Sequence, residues 1–436
     1  MALLRSLTSG VSSLRAHQQR MDIISNNIAN VNTIGFKASE AIFAEQLAQT
    51  LAPASAPSSV FGGRNPEQIG LGVQIGAVRT LLAQGALRTT NRPLDVALNG
   101  DGFFIYRLNG ADYYSRAGAL SLDRDGNIVD STTGAIVQGY NVVRDANGRP
   151  LKGANGTNVL SRQLSGLRID PGIRSAPRQT ENVMLGGNLS ATLANGETVQ
   201  ASATIYDNVG NAHILQLTFT KTATAGEFTL SATLDGNALT LPTTTVQFNP
   251  DGSLNSPLDL TIAGADLNTA LGTTGLPFDD TKSLVLTLAK AGDLLSGVTQ
   301  FASASTLTAV QQDGFPPGDL QNLSVDSTGK IIGLFTNGQS EVLGQLAVAR
   351  FANAGGLSRD GNGMFTVSPN SGLPIIGTAV EIFQSTSVVG GALEESNVDL
   401  TEQFADLIST QRAFEAAART ITVSDQMLQE VNNLKR

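Results

Sequence analysis

Residues 3–31, LLRSLTSGVSSLRAHQQRMDIISNNIANV, and residues 398–434, VDLTEQFADLISTQRAFEAAARTITVSDQMLQEVNNL, decide how this chain is read. Steps of three and four through the first pass Leu4, Leu7, Val11, Leu14, Gln18, Met21, Ser25 and Ile28, six of eight apolar. The same steps through the second pass Leu400, Phe404, Leu407, Gln411, Phe414, Ala418, Ile421, Asp425 and Leu428, seven of nine apolar. That period predicts two amphipathic helices with coiled-coil spacing, one at each end of the chain, whose stripes bury each other. Asp399 with Glu402 three positions on reads as a capping box. The Asn-rich run 26–32 followed by Gly35 ends the first helix. Lys435 and Arg436 suit the negative end of the second. A lone helix of this kind is marginal in water. The ends of a free chain are therefore expected to be largely disordered until copies pair them, the alternative being an intramolecular helix pair on the body.

Between the ends the pattern is β. Charged residues are 15% and aromatics 5%, there is no Trp, and glycine reaches 46. A short apolar-periodic stretch, Ala41 to Leu51, precedes a Pro/Ser/Ala linker over 52–59 and Gly62-Gly63. From about Gly72 the period becomes two: Leu94, Val96 and Leu98 alternate before the turn Asn99–Gly102, and Phe103–Tyr106 continues as a strand. The run 122–129, LDRDGNIV, returns about 200 residues later at 325–332 as VDSTGKII, which reads as one hairpin type used twice. Val199, Ala201, Ala203 and Ile205 alternate with polar residues, as do Leu215, Leu217 and Phe219, and Phe228, Leu230, Ala232 and Leu234. A separate antiparallel domain inserted into the first is expected.

The resulting expectation is an α+β multidomain chain, with paired, coiled-coil-like terminal helices and nested, mainly antiparallel β domains. Residues 1–35 and 397–436 are the helical domain, and 36–71 and 389–396 connecting segments. Residues 72–165 with 310–388 are an inner β domain, and 166–309 an inserted outer one.

Chemistry has little to draw on. The histidines are His17 and His213 alone, so neither a His pair at metal-ligand spacing nor a Ser-His-Asp triad is indicated. Asp-Gly-Asn runs at 123–127, 145–148 and 360–362 lack the later bidentate Glu of a calcium loop and read as turns. No phosphate-binding glycine motif lies between a strand and a helix. No cysteine is present, so no disulfide or thiolate site is expected. A net charge of −9 argues against nucleic acid and anionic membrane surfaces. Neither a cleaved signal peptide nor a membrane span is expected.

With these residues in view, the chain resembles the bacterial flagellar axial family of rod and hook proteins. The stretch 14–37 carries the family's core pattern N-N-I-A-N-x-N-T-x-G-F-K at Asn26, Asn27, Asn30, Asn32, Thr33, Gly35 and Phe36. Residues 395–400 with Gln411–Phe414 resemble its C-terminal counterpart. Rod proteins share these signatures and the segment 94–104. The segments 205–213 and 217–221 resemble the hook branch, because distal rod proteins are similar without that insertion.

The resemblance implies a non-enzymatic structural subunit without cofactor. It would self-assemble into the curved, flexible hook that acts as a universal joint between motor and filament. The implied assembly interface is Leu4, Leu7, Val11, Leu14, Met21, Ile28, Leu400, Phe404, Leu407, Phe414, Ala418, Ile421 and Leu428. Implied partners are copies of the chain, a distal rod protein at the base, a hook-filament junction protein at the tip, a hook cap during growth and the flagellar type III export apparatus. Phe43 and Leu47 resemble a short export-gate motif, against which stands simple helix packing. Location would be the hook and basal body, outside the cell after export. A distal rod subunit and, from another class, a secreted β-domain adhesin are the alternatives.

Overall fold

In the computed structural model the described residues are 2–57, 62–146, 149–153, 156–272, 277–290, 297–382 and 386–433, with the side chains of 2–4, 382 and 432 excepted. Ser58, Ser59, the 147–148 part of one Asp-Gly-Asn run, Lys435, Arg436 and the side chain of Leu4 lie outside them. The chain divides into one unit of Met1–Pro171, Asn322–Gly333 and Glu341–Arg436, and a second of Gly172–Gln321 with Leu334–Ser340.

The fold is mostly β. Four helices are described: α1 (Ala2–Ala29), α2 (Gly264–Leu271), α3 (Ala379–Ile382) and α4 (Leu400–Asn433). α1 stops at Ala29, a turn before Gly35. The Asn-rich run is a succession of turns in which the Asn30 side chain donates to the Asn26 carbonyl at 2.9 Å, competing with helical bonds. α4 is capped by Asp399, whose Oδ1 accepts from the backbone N–H of Thr401 at 2.8 Å and Glu402 at 3.3 Å.

The stretch read as a connector is not helical. β1 (Ser39–Glu45) pairs antiparallel with β4 (Val73–Thr80), and β2 (Ala48–Ala52) with β3 (Glu67–Gly70). Period two thus begins near Ser39, well before Gly72. The reason is external to propensity, since the ribbon lies against α1: the Val73 N–H donates to Ser12 Oγ at 3.3 Å and Phe43 stacks on His17 at 5.4 Å.

In the rest of the first unit, Phe103–Leu108 pairs with Ala111–Ser115, Ile136–Asn141 and Val348–Arg350. Phe103, Tyr114, Phe351 and Phe365, with Ile105 beside them, form an aromatic-rich core. Val96–Asn99 pairs with Ser387–Gly390, so N- and C-terminal arms share a ladder. The expected alternation fails there, because Asp95, Val96, Ala97 and Leu98 are all buried. A strand covered on both faces shows no period.

The second unit has a five-stranded and a six-stranded sheet around one core. Thr198–Tyr206, Ala212–Lys221 and Glu227–Leu234 are consecutive antiparallel strands, and Ala201, Ala203, Ile205, Leu215, Leu217, Phe219, Phe228, Leu230, Ala232 and Leu234 all point into it. Among the described residues two pairings are parallel, both to Asn182–Asn188.

The repeated run is one device. Asp123 Oδ1 accepts from the N–H of Asp125 and Asn127 at 2.9 and 2.7 Å, and Asp326 Oδ1 from Thr328 and Lys330 at 2.8 and 2.9 Å. Gly126 and Gly329 take φ of +83° and +79°, which a Cβ would strain. The same staple recurs at Asp207, whose Oδ1 accepts from Val209, Gly210 and Asn211.

Candidate assembly surface and its junction

α1 and α4 pack antiparallel. Ser6 Oγ meets Ser424 Oγ at 3.1 Å, a Cβ on Gly10 would lie 2.9 Å from Ile421, Arg20 pairs with Asp406 at 3.0 Å, and Asn27 Nδ2 donates to Gln403 Oε1 at 2.9 Å. Ala16, Ile24 and Asn27 are buried on one helix and Thr410, Ala417 and Ser424 on the other.

This seam differs from the predicted one. Gly10, Arg20, Ile24 and Asn27, and Gln403, Asp406, Thr410, Ala417 and Ser424, each stand one position before a predicted slot. One residue turns the helix by about 100°. Small and polar side chains therefore face inward, where they let the backbones approach. The apolar stripe rolls to the flank: Leu7, Leu14, Met21, Ile28, Leu407, Phe414, Ala418, Ile421 and Leu428 are half-buried, and Val11, Leu400 and Phe404 exposed. Val11, Phe404, Ile408, Val423, Met427 and Val431 are 39–53% exposed. The row buried between the two helices is therefore not the heptad stripe.

The seam is also imperfectly satisfied, because Thr410 Oγ1 and His17 Nδ1 are buried without a hydrogen-bond partner. Burial, with the Arg20 charge second, lowers the His17 pKa below its ordinary value. Isolated surplus polar groups of this kind weaken a contact.

The signature residues have structural tasks at the junction of helices and strands. Asn27 is buried and works in three directions: Nδ2 donates to the Ser39 carbonyl at 2.8 Å as well as to Gln403, and Oδ1 accepts from the Ser39 N–H at 3.0 Å. Thr33 Oγ1 donates to Asn30 Oδ1 at 3.1 Å, whereas Asn32 and Asn26 are exposed. Gly35 has φ +68°, donates its N–H to the Glu394 carbonyl at 2.8 Å, and would place a Cβ 2.5 Å from the Ala117 nitrogen. Phe36 is buried under the Arg359 guanidinium, 5.1 Å from the ring centroid.

Sequence reasoning missed the charges here. Lys37 Nζ lies 2.5 Å from Glu394 Oε1 and donates to the Ala83 carbonyl at 2.8 Å, and Arg116 Nη1 is 3.4 Å from Glu394 Oε2. Their side chains are 0%, 0% and 4% exposed. Lys37 closes the family pattern quoted above, whereas Glu394, beside Glu395, and Arg116 carried no signal of their own. Asn397, inside the quoted closing signature, takes the Ala38 N–H at 2.8 Å and donates to the Leu81 and Ala83 carbonyls at 2.8 and 3.0 Å.

Phe43 lies on β1, half-buried, with Arg20 5.8 Å from its ring centroid; Leu47, between β1 and β2, is 85% exposed. The structure does not bring them together on a helix. His213 is set between Asp235, at 2.7 Å, and Asp207, at 3.5 Å. Among the described residues no group of three His, Cys, Asp or Glu could hold a metal ion, and no helix is long and apolar enough to cross a membrane.

Comparison with known proteins covers the chain from end to end. The profile of the flagella basal body rod protein matches residues 7–37, and that of the flagellar hook protein FlgE/F/G D1 domain matches 97–176. The flagellar basal body protein FlaE D2 domain matches 175–315, and the flagellar basal body rod FlgEFG protein C-terminal segment 389–434. The flagellar hook protein FlgE of Borreliella burgdorferi is 36% identical over 459 residues, covering 99% of this chain and 100% of its own. That of Treponema pallidum is 36% identical over 474 residues, covering 100% of both. The flagellar basal-body rod protein FlgG of Bacillus subtilis is 25% identical over 434 residues, again covering 100% of both.

Proposed function

Because this chain belongs to the flagellar hook protein family, FlgE, we propose that it is the subunit of a hook: a structural protein that polymerises with copies of itself into a curved, flexible tube passing motor torque to the filament. The observation that carries this reading is the exposed apolar row of α4, Phe404, Ile408, Val423, Met427 and Val431, with Val11 exposed on α1. A helix pair that buries small and polar residues and exposes Val11, Phe404 and Ile408 has its hydrophobic surface ready for neighbours.

On this reading the paired termini line the inner tube, with Leu4, Leu7, Val11, Leu14, Met21, Ile28, Leu400, Phe404, Leu407, Phe414, Ala418, Ile421 and Leu428 meeting adjacent copies. The β units stand outside the tube. The base contacts a distal rod protein and the tip a junction protein, with a cap present during growth. Subunits leave through the type III export apparatus to a final place outside the cell. The exposed Leu47 suits recognition of an export segment with Phe43 before folding buries the latter's ring.

The second reading, a distal rod subunit, is favoured by the FlgG likeness and predicts a straight tube. Electron microscopy of the purified full-length chain in a precipitating salt, beside a truncation lacking 1–31 and 398–436, separates them. Curved tubes from the intact chain alone are expected; straight tubes move the assignment to the rod, and a salt-indifferent monomer overturns both.

A further inference from the structure

The geometry points to the buried Lys37, Glu394 and Arg116 as a lock that sets the direction in which the terminal helix pair leaves the β strands, and with it the lattice into which copies pack. This inference rests on the polymer reading above.

The three residues come from segments far apart in sequence, Lys37 and Glu394 being 357 positions apart and Arg116 and Glu394 278. Lys37 stands two residues before β1, Arg116 directly follows the strand Ala111–Ser115, and Glu394 ends the strand Ala392–Glu394. Five residues separate Glu394 from the start of α4, and seven separate Lys37 from the end of α1. Movement of either helix relative to the strands must therefore pass through this cluster.

Glu394 takes both cations, and the Asp101 carboxylate also acts on Arg116. A buried ion pair at best roughly breaks even against apolar residues of the same size. Burial outweighs the carboxylate's pull and holds the Lys37 amine below its ordinary pKa. Stability does not account for such a cluster; direction does, because each bond has a fixed partner. Glu394 Oε1 also accepts from the Gly85 N–H at 3.0 Å, and a Cβ on Gly85 would lie 2.0 Å from the Glu395 carbonyl oxygen. Segments 35–38, 81–85 and 394–397 consequently have no slack.

The unequal parts of the three residues supply the test. Lys37→Met leaves Arg116 paired with Glu394, and the Ala83 carbonyl keeps its bond from Asn397. The full-length variant should unfold within a few degrees of the unmodified chain yet form tubes of altered helical lattice or irregular curvature. Glu394→Gln takes the charged partner from buried Lys37 and leaves Arg116 only the Asp101 carboxylate, and should fold far worse. The apolar triple variant Lys37→Met/Arg116→Met/Glu394→Leu should recover folding and keep the altered lattice. Folded Lys37→Met protein giving the unmodified lattice by electron microscopy overturns the lock, as does equal destabilisation by Lys37→Met and Glu394→Gln. Absence of tubes from the unmodified chain would instead sink the hook reading itself.

Discussion

The middle of the chain and its two ends dispose of apolar surface in opposite ways. In the second unit, ten alternating residues of three neighbouring strands, from Ala201 to Leu234, are buried in one core with Phe278, Leu284 and Leu286 from outside those strands. On α1 and α4 the buried side chains are Ala16, Ile24, Asn27, Thr410, Ala417 and Ser424, half of them polar, while larger apolar residues face outward. Each large aliphatic or aromatic side chain withdrawn from water contributes about 1.5–3 kcal/mol. The middle therefore buries its large apolar side chains within the chain, whereas the ends leave part of theirs in contact with solvent. On the proposed polymer reading that division serves assembly, since an apolar stripe sealed inside the monomer could not drive it.

The strongest way to break this contrast is to compare cavities. Phe219→Ala, at a fully buried site in the second unit, should cost about 3–5 kcal/mol in urea unfolding of the full chain. Ile24→Ala in the helix seam should cost clearly less, because the other side chains buried on the two helices are small or polar. Equal losses would mean that the helix pair is as firmly packed as the β core.

Next in size is the staple at Asp207. Removing its carboxylate in Asp207→Ala leaves the N–H groups of Val209, Gly210 and Asn211 without that acceptor and should cost about 2 kcal/mol. Burial pushes the Asp207 carboxyl up, but the Asn211 side chain and three backbone N–H groups outweigh it, so its pKa falls below the ordinary value. A group depressed on folding adds stability above its unfolded pKa, near 4, and loses it as pH falls through the folded value. The gap between the unmodified chain and Asp207→Ala should therefore be full at neutral pH and shrink below about pH 4. A gap independent of pH would show that the turn gains nothing from the charge.

The same contrast explains what could be read from the residues alone. In the second unit, period two and burial coincide, so Ile205, Leu217 and Phe228 announce their side of the sheet. On the helices the heptad finds the largest apolar stripe, but chain self-pairing selects the next row, where Gly10 and Ala417 permit close approach. The helical period itself and the pairing of the ends were legible; which face pairs was not. Ser39–Glu45 carries an Ala- and Glu-rich sequence without β character and is held as a strand by α1 and β4, a tertiary effect. The Lys37, Arg116 and Glu394 cluster joins residues whose spacing has no period at all.

A smaller effect is expected at the start of α4. Asp399→Ala removes the acceptor for the Thr401 and Glu402 N–H groups and should cost about 1 kcal/mol. Because the seam is thin, the loss should appear first as faster hydrogen exchange in the opening turns of α4, not as a lower unfolding midpoint of the second unit. Simultaneous loss in both would mean that ends and middle unfold together.

The smallest effect on the single chain should come from residues proposed to meet adjacent copies. Phe404 and Ile408 are 49% and 51% exposed, so Phe404→Ser/Ile408→Ser should shift folding stability by no more than about 0.5 kcal/mol. It should nevertheless raise the salt needed to form tubes, measured by sedimentation, because an apolar contact strengthened by precipitating salt is what has been removed. Ile24→Ser, one face over, should do the reverse, harming the chain's own helix pair while leaving the outward stripe in place. Should the two substitutions exchange effects, the face buried here within one chain would be the face that copies use on each other, and the helix pair would have to open before assembly.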